Sequence, residues 1–98
     1  MNYVFEPKAR LDFSSAVEWY LLQAGDTHAH DFEAEVYRGV KVLLRLPKLG
    51  ASVRHGLRRW QLKRYPYAII YRDEPELIRI FALAHHRRKP GYWAKQVK

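Results

Sequence analysis

The chain has 98 residues, no cysteine and a formal net charge of +8. That length suits one domain, residues 1–98, burying roughly 60–70% of its unfolded surface. The missing thiols exclude disulfides and thiolate metal sites, and no apolar run approaches the roughly 18–20 residues of a membrane span, so a soluble, cytoplasmic protein without metal or cofactor is expected.

Asn2 to Phe5 reads as a short first strand. The segment has no basic leader or long apolar run, so no secretion signal is expected. Pro7 suits the first turn of a helix, where its missing N–H costs nothing. Ala9, Phe13, Ala16, Val17 and Tyr20 then form one apolar stripe of a helix running to about Ala24, with Gly25 as its end. Trp19 and Tyr20 are expected in the core or between helix and sheet, as is Trp60 later in the chain. Thr27 is a fair N-cap for a second helix carrying Phe32, Val36, Val40 and Leu43 inward and stopped by Pro47. His28 and His30, flanked by Asp26 and Asp31, are best explained by capping and dipole effects at that helix start rather than by metal ligation.

Lys48 to Gly56 reads as a loop. Leu57 to Lys63, Tyr67 to Arg72 and Leu77 to Ala84 follow as strands, joined by the bend Arg64-Tyr65-Pro66 and the turn Asp73 to Glu76. The order βααβββ predicts an α+β fold: an antiparallel sheet of the three late strands, joined by the N-terminal strand, with an αα-hairpin packed on one face. Simple alternation puts Ile78, Ile80, Ala82 and Ala84 on one face of the last strand. The opposite sheet face would then carry a cationic stripe of Arg59, Gln61, Lys63, Arg79 and His85.

Charge is segregated along the chain. Residues 1–46 hold seven acids and five bases, whereas residues 47–98 hold three acids and thirteen bases. A half this basic implies an anionic partner, either nucleic acid or an acidic protein segment. The densest cluster is the tail, His85-His86-Arg87-Arg88-Lys89-Pro90-Gly91-Tyr92-Trp93. Nothing in it is expected to add to a core, and its imidazoles, cations and aromatics suit contact with phosphates, bases or an acidic surface.

Several stretches together carry a resemblance. They are Ala9 and Trp19-Tyr20, Leu44 to Pro47 with Gly50, Arg64-Tyr65-Pro66-Tyr67-Ala68-Ile69-Ile70-Tyr71-Arg72, and Ala84 through Trp93. In this order the chain resembles the RelE/ParE superfamily of toxins from bacterial type II toxin–antitoxin modules. The resemblance implies a growth-inhibiting toxin held inactive by a cognate antitoxin whose acidic C-terminal segment wraps it. Arg59, Lys63, Arg79, His85, Arg87, Arg88, Tyr92 and Trp93 are the residues expected to contact target or antitoxin.

The branches of the superfamily differ in target: RelE-like members cut ribosome-bound messenger RNA, and characterised ParE-like members inhibit DNA gyrase. Metal-independent RNA cleavage needs a base, an acid and cations on the phosphorane. His85, His86, Arg87, Arg88, Tyr92 and Arg64 are the residues of this chain that would supply them. RNA-cutting relatives commonly carry an arginine three residues before the middle-strand tyrosine, and here that place is Ala68, before Tyr71. The Pro-Tyr-x-Ile-x-Tyr-Arg strand and His-x-Arg-Arg tail look more like the ParE branch. The chain is therefore expected to be a ParE-like toxin acting by protein binding, with a ribosome-dependent ribonuclease as the alternative. A non-toxic basic domain that binds nucleic acid or a partner is the third reading.

Overall fold

The structure, a computed structural model, describes residues 1–87 and Trp93. Strand β1 (Asn2–Phe5) leads into α1 (Pro7–Ala24) and α2 (Asp26–Arg45), followed by β2 (Ala51–Val53), a short 3₁₀ turn at Arg54–Gly56, β3 (Leu57–Gln61), β4 (Tyr67–Glu74) and β5 (Leu77–His85). The sheet is mixed and five-stranded, in the order β1-β5-β4-β3-β2. Strand β1 runs parallel to β5, with Asn2 beside Leu77 and Phe5 beside Ile80. The other pairs are antiparallel.

The sheet thus contains one strand more than the sequence pattern indicated. Ala51–Val53 is too short and too exposed to show an alternating pattern, and it forms because β3 offers an edge to pair with. The second helix starts one residue before the expected Thr27 cap. Gly25, at φ 91°, occupies both the end of α1 and the cap of α2, so the turn between the helices needs no side-chain cap.

The main core lies between the helices and the sheet. Phe13, Phe32, Val36, Val40 and Leu43 from the helices meet Leu62, Ile69, Tyr71, Ile78, Ile80 and Leu83. Gly39 lets α2 lie close to the sheet, since a Cβ there would stand 2.9 Å from the Trp60 ring and 3.1 Å from Leu62 and Ile69. Such close contact brings dispersion gains that a separated layer would lose.

One irregularity changes the faces of β5. Ile70 pairs with Ala82 but Tyr71 pairs with Ile80, which leaves Phe81 as an extra residue in a β-bulge. Up to the bulge, Ile78 and Ile80 point toward the helices; beyond it, Leu83 does so, and Ala82 and Ala84 face the other way. The single apolar face expected from alternation is therefore split between two clusters. A single inserted residue shifts the two-residue period by one, and composition gives no sign of it.

The second cluster lies on the outer face of the sheet: Leu57, Ile70, Ala82 and Ala84, with Val53 and Phe81 packed beside them and Trp93 over them. Trp93 is only 6% exposed. The expectation that nothing after β5 adds to a core is corrected here. The bulge turns Ala82 and Ala84 to the outer face beside Ile70, and the indole covers them.

Three polar ties fix the helices and loops to the sheet. The buried Glu35 of α2 accepts from the Arg38 guanidinium and from the Lys63 backbone N–H at the start of the β3–β4 loop. Asp12 of α1 accepts from the Leu83 N–H just after the bulge, at 3.1 Å, and pairs with Lys8 on its other oxygen. Strand β1 stops beside Ile80, so Asp12 satisfies a donor on the β5 edge that β1 no longer covers. Tyr71 is fully buried, donates its hydroxyl to the Pro47 carbonyl at 2.7 Å and accepts from the Gly50 N–H at 2.9 Å. Burial pushes its phenol pKa up, outweighing the lowering by the Gly50 bond and Arg58. A Cβ on Gly50 would lie 2.8 Å from that hydroxyl, so the position requires glycine.

Two stability changes follow. Tyr71→Phe leaves the Gly50 N–H and Pro47 carbonyl without this partner and should cost about 1–3 kcal/mol in urea unfolding. Trp93→Ala should cost about 3 kcal/mol by the same measurement and increase dye binding to the uncovered outer cluster. Wild-type midpoints in both variants would refute these assignments.

Candidate functional site

The residues expected to form one cationic face are distributed over both sides of the sheet. Arg59 lies exposed on the outer face of β3 and donates to Gln61 at 3.0 Å. Gln61 donates onward to the carbonyls of Tyr65 and Tyr67 at 3.0 and 2.8 Å, which makes it a brace for the β3–β4 loop. Lys63 lies past the end of β3, its backbone held by Glu35. Arg79, also on the outer face, donates to Glu74 at 2.9 Å and to Glu6 at 3.0 Å. Those hydrogen bonds raise the Arg79 pKa and are the first cause of a lowered pKa at Glu74. Both acids occupy the guanidinium, so Arg79 links β1's end to the β4–β5 hairpin. The expected stripe of Arg59, Gln61, Lys63, Arg79 and His85 does not exist as one surface, because the bulge turns His85 to the helix side.

There His85 enters a cleft of about 370 Å³ lined by Trp19, Tyr20, Pro66, Tyr67, His86 and Arg87. Its ring stands edge-on to Tyr67, with centroids 4.9 Å apart, and stacks on His86 at 4.8 Å with 22° between planes. His85 Nδ1 accepts the Arg87 N–H at 3.0 Å, and the His86 N–H donates to the Pro66 carbonyl at 2.8 Å. The end of β5 is thereby held against the β3–β4 loop. Desolvation lowers the His85 pKa below its ordinary 6.5, and His86 and Arg87 lower it further.

Trp19, expected to pack inward, is 55% exposed and stands at the rim of this cleft with its ring 5.1 Å from Tyr20. Tyr20 does take the inward place, between Phe32 and Tyr65. Adjacent residues on a helix differ by about 100°, so both indole and phenol cannot face one core. Arg64 lies 5.8 Å over the Tyr65 ring. Trp93 is spent on the outer cluster, and Arg88 and Tyr92 fall outside the described residues. Among the described residues no three His, Asp or Glu side chains converge as a metal site.

A second concavity, about 650 Å³, runs between β1, α1 and α2. Val4, Phe5, Phe13, Val17, Leu21 and Tyr37 give it apolar walls, and Arg10, Glu18 and Glu33 give it charge. It borders the edge of β1 facing away from β5, an edge that pairs with no strand among the described residues. Leu11, Leu22 and Trp19 add exposed apolar surface elsewhere on α1 (62%, 74% and 55% exposed). Sequence periodicity missed this groove because α1 carries apolar residues around most of its circumference, and only the tertiary packing shows which are left uncovered.

A strand, a helical hairpin on one sheet face and a closing antiparallel meander make up the architecture implied by the strand and tail motifs, that of a RelE/ParE-type toxin. The family model described as the ParE toxin of the type II toxin-antitoxin system, parDE, matches residues 3–90, and the chain belongs to that family. The solved structure "Chromosomal ParDE TA system from P. aeruginosa" shares the fold, with a TM-score of 0.76 at 24% identity over 87% of this chain and 95% of that one. No curated protein matches the chain. The chain is thus a ParE-like toxin component of a type II toxin–antitoxin system, and an antitoxin is its partner.

The cleft gives a pH prediction. The unfolded chain takes up a proton at His85 near the ordinary 6.5, whereas the folded protein resists it. This histidine's contribution to stability is therefore complete above 6.5 and declines as pH falls from there through the lower folded pKa. Histidine NMR titration should place the His85 midpoint below 6.5, and His86→Gln should move it upward. A midpoint at or above 6.5 would contradict the half-buried imidazole's resistance to protonation.

Proposed function

We propose that this toxin arrests bacterial growth by binding a protein target, DNA gyrase, and that its antitoxin neutralises it from the groove between β1, α1 and α2. The observation that carries the first part is the alanine at the middle-strand position where RNA-cutting relatives carry a phosphate-holding arginine. Arg79 on the neighbouring strand does not take that arginine's place beside His85 and His86, since it lies on the outer side of the sheet with both Glu6 and Glu74 on its guanidinium, while the imidazoles lie on the helix side. Ala68, at the place where RNA-cutting relatives carry arginine, is fully buried between its pairing neighbours Gln61 and Ala84. No described cation is held beside the imidazoles except Arg87 at the rim of the same cleft. Cleavage needs a cation on the phosphorane as well as an acid and a base, and the strand position that supplies it in RNA-cutting relatives is alanine here, so protein binding is the better-supported mode.

The antitoxin reading rests on the apolar groove and the free β1 edge. An antitoxin segment that is unstructured alone gains there both a cover for Phe5, Val17 and Leu21 and backbone partners along β1. The pairing is that of a folded toxin with a segment that orders on binding.

Expression of the chain without antitoxin should stop growth, and the purified protein should inhibit gyrase supercoiling while leaving ribosome-bound messages intact. Unaffected supercoiling at toxin excess, together with codon-phased cuts in primer extension, would replace this reading with the ribonuclease one. Leu21→Glu, at an exposed groove position, should weaken antitoxin binding about tenfold or more without changing the urea midpoint. Unchanged affinity would move the antitoxin to another face.

A further inference from the structure

We propose that the cleft between α1 and the end of β5 binds a nucleotide unit of single-stranded nucleic acid, with a base on the Trp19 indole and the adjoining phosphate on His85, His86 and Arg87. This site is separate from the β1–α1–α2 groove and does not depend on which target the toxin inhibits.

Four features converge. The described lining of the cleft holds two imidazoles and a guanidinium and no carboxylate. Its volume of about 370 Å³ falls in the range of small-ligand clefts, at the size of one nucleotide rather than a helix. Trp19 presents more than half of its surface at the rim, with Tyr20 edge-on behind it fixing the ring. An exposed indole held rigid beside cations is the arrangement by which proteins stack a base and hold its backbone. The imidazoles are oriented rather than loose. His85 spends Nδ1 on the Arg87 N–H, which leaves Nε2 as the free ring nitrogen, and His86 stacks parallel to it.

A peptide carboxylate is the competing occupant. The amphipathic peptide partner already has a larger apolar groove elsewhere, whereas this cleft has cationic and aromatic walls, which suit a ligand anionic at one end and flat at the other. The groups facing His85 are Tyr67 on β4, Trp19 and Tyr20 on α1, and His86 and Arg87 on its own segment. None of these described groups is a carboxylate; desolvation lowers the His85 pKa first, and the charges of His86 and Arg87 lower it further. A bound phosphate reverses that effect, so affinity should rise as pH falls and His85 takes up a proton.

The test is titration of the full chain with a single-stranded pentanucleotide at low salt, read by tryptophan fluorescence and by anisotropy of a labelled strand. Binding should quench the indole signal, strengthen on acidification and weaken steeply with salt. Trp19→Ala should abolish most of the quench and weaken binding about tenfold. His86→Gln, at an exposed position, should weaken binding and flatten its pH and salt dependence, with circular dichroism confirming the fold in each variant. Separate DNA, RNA and mononucleotide arms identify the source of the nucleotide unit. Two results would overturn the proposal: affinities unchanged in both variants, which would place binding on diffuse surface charge, or displacement of the strand by an acidic peptide of equal charge as effectively as by unlabelled strand.

Discussion

Between Ile70 and Tyr71 the ladder joining β4 to β5 skips from Ala82 to Ile80, and much of the molecule's organisation depends on how Phe81 is accommodated there. A strand paired in simple register would present Ile78, Ile80, Ala82 and Ala84 to the helices and leave Leu83 and His85 to solvent on the far side. With the extra residue, Leu83 fills the main core and His85 follows it to the helix side. The small alanines move to the outer face, where Trp93 lies over them. The bulge thus creates two cores from one strand and determines the side on which the imidazoles lie.

Polar contacts hold that arrangement at the points where backbone pairing is interrupted. Asp12 meets the Leu83 N–H where β1 ends, Glu35 meets the Lys63 N–H where β3 ends, and Tyr71 spans the carbonyl of Pro47 and the N–H of Gly50 where α2 gives way to β2. Each acceptor or donor comes from an element that also contributes apolar contacts. The helices are therefore placed on the sheet in one register rather than sliding over a greasy face. Buried groups satisfied in this way favour a single packing because any shift would leave them without partners.

The elements themselves were legible because they follow local rules: Pro7 at a helix start, Gly25 between the helices, Pro47 after the second, and alternating or doubly apolar runs for β3 to β5. The family was legible from the strand through Tyr71 and from the tail. The faces were not. Alternation assigns sides only while the two-residue period holds, and a bulge alters the period without altering composition. The burial of Trp93 is hidden for a related reason, since a tryptophan near a run of cations shows no periodicity, and its burial depends on a cluster assembled from three separate strands. Trp19 and Tyr20 show the same limit in a helix: two neighbouring aromatics cannot both point inward, and only the packing against Phe32 and Tyr65 decides between them.

The parallel pairing of β1 with β5 joins Asn2 to Leu77, nearly the full described length of the chain. Emerging from a ribosome in order, the helical hairpin has neighbours of its own from the start, since α1 and α2 are consecutive. The first strand can touch those helices, but it has no strand to pair with until β5 has been made. Its side chains Val4 and Phe5 form a wall of the large apolar groove, so that groove cannot exist on a nascent chain that stops short of β5. A partner that recognises it can distinguish a finished copy of the protein from an unfinished one.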